Sequence, residues 1–345
     1  KGGPLPVIKQ VLILALCALL AGCGAESSAA PPPEADSPAS YTGRVMLYSS
    51  MQENQILALK EGFENKYPNV TMDYYFGGTG KVLTKIATEN QSGHVSADVI
   101  WVGDPSDYLD MKSAGILSPY ISPQGIRIDP AYIDPDYYFT GARLMNVGIA
   151  YNTDLITAAE APKSWNDLLN PRWNGQVIMT DPGSSGTVKY FVGALMADDR
   201  YGTDYFVRLH ANGCELESGT NATHRQVAEG NFPVGICLDY VAASFADAGE
   251  PLVFLYPKDL ISIYSPVGLV ANCPNERNGK LLYDFILSRE GQEILVENNL
   301  MSIRKDIEQP NTDFEAIAQR SLPTDAHWIA EHAGQIMADF DGIFQ

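Results

Sequence analysis

From Arg44 onward the sequence keeps changing period, and this alternation constrains the fold more than any other feature. Short runs rich in β-branched and aromatic residues give way to longer stretches with apolar residues three or four apart. Neither a helix bundle nor an all-β sandwich accommodates the pattern, which specifies a layered α/β architecture with largely parallel sheets. Strands are predicted at residues 44–48, 70–75, 97–102, 144–151, 176–179, 214–217, 234–238, 252–256 and 266–271. Helices are predicted at 52–67, where Ile56, Leu59, Phe63 and Tyr67 share a face, and at 187–197, 226–229 and 279–287. No internal repeat is visible.

Before this region the chain has a different character. Lys1 and Lys9 precede an apolar run, residues 11–20, which is far shorter than the roughly 20 residues a spanning helix needs and reads as the core of a signal peptide. The tetrad Leu20-Ala21-Gly22-Cys23 resembles the lipobox of bacterial lipoproteins. That resemblance implies removal of residues 1–22, acylation of Cys23 and a membrane connection through the lipid anchor alone. Residues 23–42 carry Pro31-Pro32-Pro33 among Ala, Ser and acidic residues and are expected to form a disordered linker.

A formal charge of −19 argues against a nucleic-acid partner, which demands a basic face. It leaves an anionic ligand open, because backbone N–H groups at helix N-termini bind anions whatever the net charge. With Cys17 in the signal segment and Cys23 acylated, Cys214, Cys237 and Cys273 remain. Their pairing is open, their spacing matches no zinc pattern, and Cys237 sits in an apolar run that suits a buried free thiol. No cofactor is expected.

Several helix starts are chemically explicit. Ser50 with Glu53 and Thr223 with Gln226 fit capping boxes, Asp104-Pro105 fits an N-cap and first helical residue, and the loop from Asp181 to Gly186 precedes a helical run. In open α/β sheets ligands collect at the carboxyl ends of strands, where these loops fall.

In order and spacing, Val45-Met46-Leu47-Tyr48-Ser49-Ser50, Gly77-Gly78-Thr79-Gly80-Lys81, Ala97-Asp98-Val99-Ile100-Trp101, Gly148-Ile149-Ala150-Tyr151-Asn152-Thr153, Asp181-Pro182 with Ser184-Ser185-Gly186-Thr187, and Val234-Gly235-Ile236-Cys237-Leu238-Asp239-Tyr240 carry a resemblance. Together they resemble the ferric-ion, phosphonate, thiamine and sugar-phosphate receptors of bacterial ABC importers, which have the periplasmic-binding-protein-like type II fold. The resemblance implies two lobes, each a mainly parallel sheet flanked by helices, joined by two hinge strands near 144–151 and 266–271. Lobe 1 would comprise 43–145 and 270–345, and lobe 2 would comprise 146–269. It implies a non-enzymatic, extracytoplasmic, monomeric receptor that hands a small molecule to a permease with its ATPase subunits. A receptor feeding a sensor would use the same fold.

Ser49, Ser50, Gly78, Thr79, Ser184, Ser185, Gly186, Thr187, Asn221, His224, Asp239 and Tyr240 are the candidate ligand groups. Ser184–Thr187 offers hydroxyls and successive N–H groups to one phosphoryl or phosphonyl group. Asp239 is placed to pair with a ligand amine, or to cap its helix. The resembled ferric-ion receptors carry consecutive tyrosines where this chain has Asp239-Tyr240, so Asp239 and Tyr240 would form only an incomplete iron site. The ligand expected is a phosphonate or phosphorylated small molecule, with ferric ion, thiamine and polyamine as alternatives. A lipid-anchored hydrolase using Ser184 or Ser185 with His224 and Asp239 is disfavoured, because Thr187 breaks the G-x-S-x-G elbow.

Overall fold

The computed structural model describes residues 37–309 and 312–344. The apolar run, the lipobox with Cys23 and most of the linker lie outside the described residues. The strands are β1 Gly43–Ser49, β2 Val70–Phe76, β3 Val99–Trp101, β4 Leu117–Ser118, β5 Phe139–Asn152, β6 Val177–Thr180, β7 Glu215–Glu217, β8 Val234–Leu238, β9 Leu252–Leu255, β10 Ile261–Val270 and β11 Met301–Ser302. The helices are α1 Glu53–Lys66, α2 Thr79–Gln91, α3 Pro105–Ser113, α4 Gly186–Ala197, α5 Gly202–Ala211, α6 Thr220–Ala228, α7 Asp239–Asp247, α8 Glu276–Leu287, α9 Arg289–Glu297, α10 Phe314–Arg320 and α11 Ala326–Phe344. Among the described residues no helix is long and apolar enough to cross a membrane.

Two parallel triads carry the fold. β1 pairs in parallel with β2 and β3, and β6 pairs in parallel with β7 and β8. Each triad ends on an antiparallel neighbour, β10 beside β3 and β5 beside β8, and these two long strands pair with each other. Both therefore begin in one half and finish in the other, as hinge strands must. Helices cover the faces, so the inner strands are apolar along their length: Val45 and Leu47 in β1 and all five residues of β8 are buried.

The hinge strands begin earlier than the sequence pattern suggests, at Phe139 and Ile261. Thr140, Arg143 and Asn146 interrupt the apolar pattern of β5, yet all three are buried. In β10 the register slips between Ser265 and Pro266, where proline has no N–H to give the ladder.

Three local expectations are corrected. Residues 37–42, assigned to the linker, fold against the domain: Pro38–Ser40 forms a 3-10 turn, and Tyr41 packs edge-on to Tyr67 at 5.7 Å. Ser50 does not cap α1, whose N-cap is Gln52, because Ser49 Oγ accepts the Met51 N–H at 3.1 Å and closes the turn first. Thr223 lies one turn inside α6 rather than at its cap, and its hydroxyl sits 2.7 Å from that of Thr180. The Asp104 cap is as expected, its side chain accepting the Ser106 N–H. Cys214, Cys237 and Cys273 are free and buried, and burial pushes each thiol up in pKa, Cys273 to about 11.

The C-terminal helix α11 packs on α3, α4 and α5, and so touches helices that follow strands of both triads. Ile329 and Ile336 close over Gly193, and Phe340 meets Phe206 at 5.6 Å.

Candidate ligand-binding site

Carboxyl-terminal ends of strands from both triads face one another, and the chain turns there from strand into helix. A cavity of about 40 Å³ lies between them, lined by Ser50, Gly78, Thr79, Gly103, Arg143, Ser184, Ser185, Thr187, Thr220, Leu238 and Tyr240. The starts of α2, α4, α6 and α7 all contribute, so the positive ends of four helix dipoles lie around it. Ser185 caps α4 by accepting the Val188 N–H, and Ser184 Oγ donates to the Asp181 carbonyl at 2.8 Å.

The two sides approach closely. A Cβ on Gly186 would stand 2.8 Å from Thr79 Cγ2, and one on Gly80 would be driven into the Gly183 carbonyl oxygen. Gln52 Nε2 donates to Asn221 Oδ1 at 3.0 Å between the same two sides.

Arg143 dominates the electrostatics. It is 1% exposed, and among the described residues its Nε and Nη1 have no hydrogen-bond partner. The guanidinium carbon lies 5.0 Å from the Tyr240 ring and 5.8 Å from the Trp101 ring. Burial pulls the guanidinium down from its usual range, while Tyr240 and Asp239 oppose that shift. A buried cation with two uncommitted donors is costly, and an anion placed against it recovers that cost. No carboxylate lines the cavity.

The expected ligand groups divide by geometry. Ser50, Gly78, Thr79, Ser184, Ser185, Thr187 and Tyr240 line the cavity, and Gly186 makes the close approach to Thr79. Ser49, Asn221, His224 and Asp239 do not line it. Ser49 is fully buried and donates to the Trp101 carbonyl at 2.9 Å. Asn221 is engaged by Gln52. His224 is wholly buried, with Nδ1 2.7 Å from the Thr220 carbonyl and Nε2 accepting the Leu238 N–H at 3.0 Å. This pairing fixes the tautomer with the proton on Nδ1, and burial lowers its pKa to about 4, so the ring is neutral. Asp239 accepts from the Asn146 backbone N–H and side-chain amide at 3.1 and 2.6 Å. It borders a separate groove between α7 and α9.

Arg143 was absent from the sequence reading. Its signal was a lone cation within a long, otherwise mostly apolar strand.

Two α/β halves hinged by crossing strands, with a donor-lined cavity between the strand ends, make the architecture of a cleft-closing receptor. The chain belongs to the bacterial extracellular solute-binding protein family, whose profile matches residues 96–324. It is 24% identical over 265 residues, 73% of this chain and 75% of the other, to a Salmonella typhimurium protein provisionally named a 2-aminoethylphosphonate-binding periplasmic protein. It is 21% identical over 265 residues to the Fe(3+)-binding periplasmic protein of Serratia marcescens, covering 74% of this chain and 77% of that one. Among solved structures, the periplasmic binding protein AfuA of Actinobacillus pleuropneumoniae, with fructose-6-phosphate bound, superposes with a TM-score of 0.79 at 25% identity, covering 88% of this chain and 99% of the other. Iron-bound HitA of Pseudomonas aeruginosa shares the fold, with a TM-score of 0.76 at 21% identity over 86% of this chain and 99% of that one.

Proposed function

We propose that this chain is the extracytoplasmic receptor of an ABC importer and that it captures a small phosphonate or phosphorylated molecule by its anionic head. Buried Arg143, with two donors unmet, is the observation that carries this reading. Four helix N-termini and the hydroxyls of Ser50, Thr79, Ser185 and Thr187 surround the same point, supplying the neutral donors a tetrahedral oxyanion accepts. The names of the Salmonella and Actinobacillus relatives agree with such a ligand.

In this reading 43–145 with 270–345 forms one lobe and 146–269 the other, and closure around the anion makes the shape a permease recognises. A lipid on Cys23 would tether the receptor to the membrane. The aminoethyl group is less well provided for, because Asp239 is committed to Asn146.

Ferric ion suits the donor set poorly. The cavity has a guanidinium and no carboxylate, and burial raises the pKa of Tyr240, keeping its phenol protonated.

Thermal melts against phosphonates, sugar phosphates, inorganic phosphate, thiamine phosphates, polyamines and ferric citrate test the reading. A ligand at a hundredfold excess over Kd contributes about 2.7 kcal/mol to stability. A shift with an organophosphorus compound that disappears in Arg143→Met supports the proposal. A shift with ferric citrate alone overturns it.

A further inference from the structure

We propose that Lys189 is a positioning residue: held between Asp104 and Asp107, it fixes the first turn of α4 against the first turn of α3 and so sets the geometry of a ligand site it does not line. Asp104 and Asp107 follow β3 in the first triad, and Lys189 belongs to the helix that follows β6 in the second. Lys189 Nζ lies 2.9 Å from Asp104 Oδ2 and forms a short ion pair with Asp107 Oδ1. The side chains are 16%, 0% and 6% exposed, so the contact is shielded from water. The Asp104 contact is ionic rather than a well-aligned hydrogen bond, which leaves Asp104 Oδ2 without a hydrogen-bond partner among the described residues.

Position gives this cluster its consequence. Gly103, next to Asp104, and Thr187, two residues before Lys189, both line the cavity. Asp104 also caps α3, accepting from the Ser106 N–H at 2.8 Å and the Ser106 hydroxyl at 2.6 Å, so a force on its carboxylate acts directly on the helix start. The ammonium is thus a strut between two ligand-facing loops, one from each side of the cleft.

A desolvated ion pair adds little net stability over an apolar contact, but taking away one partner leaves the others as uncompensated buried charges. Removing the ammonium leaves two carboxylates of one half buried without a counter-charge, and their hydration favours separation of the halves. Closure therefore weakens while each half stays folded.

The test compares wild type with Lys189→Met in the full chain. It uses melting of the ligand-free protein, the radius of gyration from small-angle scattering, and affinity for 2-aminoethylphosphonate and fructose-6-phosphate. The expected result is a cooperative melt within a few degrees of wild type, a larger ligand-free radius of gyration, and at least a tenfold loss of affinity. Wild-type affinity together with an unchanged radius overturns the proposal. Lys189→Gln, which keeps a hydrogen-bonding group without the charge, replaces Lys189→Met if the latter fails to fold, and the same two outcomes decide. Should neither probe bind wild type, the ligand reading fails, and the ligand-free scattering still decides the role of Lys189.

Discussion

Arg143 shows how one side chain can fix the chemistry of a cleft. A guanidinium with two unmet donors destabilises a ligand-free protein and stabilises its complex with an anion, since each charge-assisted hydrogen bond contributes about 1.5–3 kcal/mol. Arg143→Met is therefore expected to lose ligand-induced stabilisation while its ligand-free melting temperature stays level or rises, in a pair of melts with and without ligand. A large drop in the ligand-free value would make Arg143 a structural residue instead. The sequence made the loop residues legible because Ser50, Thr79, Ser185 and Tyr240 all sit where a strand hands over to a helix. It did not reveal side-chain direction. Ser49 and Ser50 are adjacent, but successive side chains in extended backbone point to opposite faces, so one is buried and the other reaches the cavity. Arg143 stayed hidden because a mid-strand cation carries no loop or cap signature.

At the scale of elements, helix starts carry the site, and two of them allow sharp tests. Gly80 lies in the first turn of α2, where alanine is a better helix former by up to about 1 kcal/mol. A methyl group there would be driven into the Gly183 carbonyl oxygen, so the two sides could not meet as they do here. Gly80→Ala should therefore part the two sides and lower affinity at least tenfold, as titration calorimetry would show; wild-type affinity would mean that the close approach is dispensable. The second test concerns α6 and α3. His224 binds α6 to the end of β8 with a pKa lowered to about 4, so its contribution is complete above the ordinary histidine range and is lost as pH falls towards 4. Burial and Asp104 push the Asp107 carboxyl on α3 up in pKa, with Asp110 adding to the rise and Lys189 opposing it. Its contribution is complete below the ordinary carboxylate range and is lost as pH rises through its raised pKa. The two slopes oppose each other across the same window, each limited to about 1.4 kcal/mol per pH unit. Urea unfolding of Asp107→Asn should therefore show stability rising more steeply with pH between 4 and 6.5 than in wild type. An unchanged slope would mean that Asp107 titrates normally.

For the whole molecule, alternating period identified the α/β class and placed most strands within a few residues, because burial on both faces leaves a continuous apolar record in strands such as β8. The hinge strands were truncated in that reading because the polar residues near their starts, Thr140 and Arg143 in β5 and Ser262 and Ser265 in β10, look like loop residues until the fold encloses them. The reach of α11 onto helices of both halves was not legible at all, since no helix was read at Ala326–Phe344 and only the fold shows what it packs on. The path of β10 has a consequence for how the chain comes to be folded. The sheet built on β1, β2 and β3 continues into β10, Ile261–Val270, whereas β6, β7 and β8 close on β5 from a single uninterrupted stretch. Contacts of long sequence separation form late. The pairing of β3 with β10 spans the most chain, so amides of β10 should gain protection after those of β1, β2, β6 and β8 in pulsed hydrogen exchange during refolding. A polypeptide threaded across a membrane from its N-terminus would reach the far side with its first half waiting for its last third.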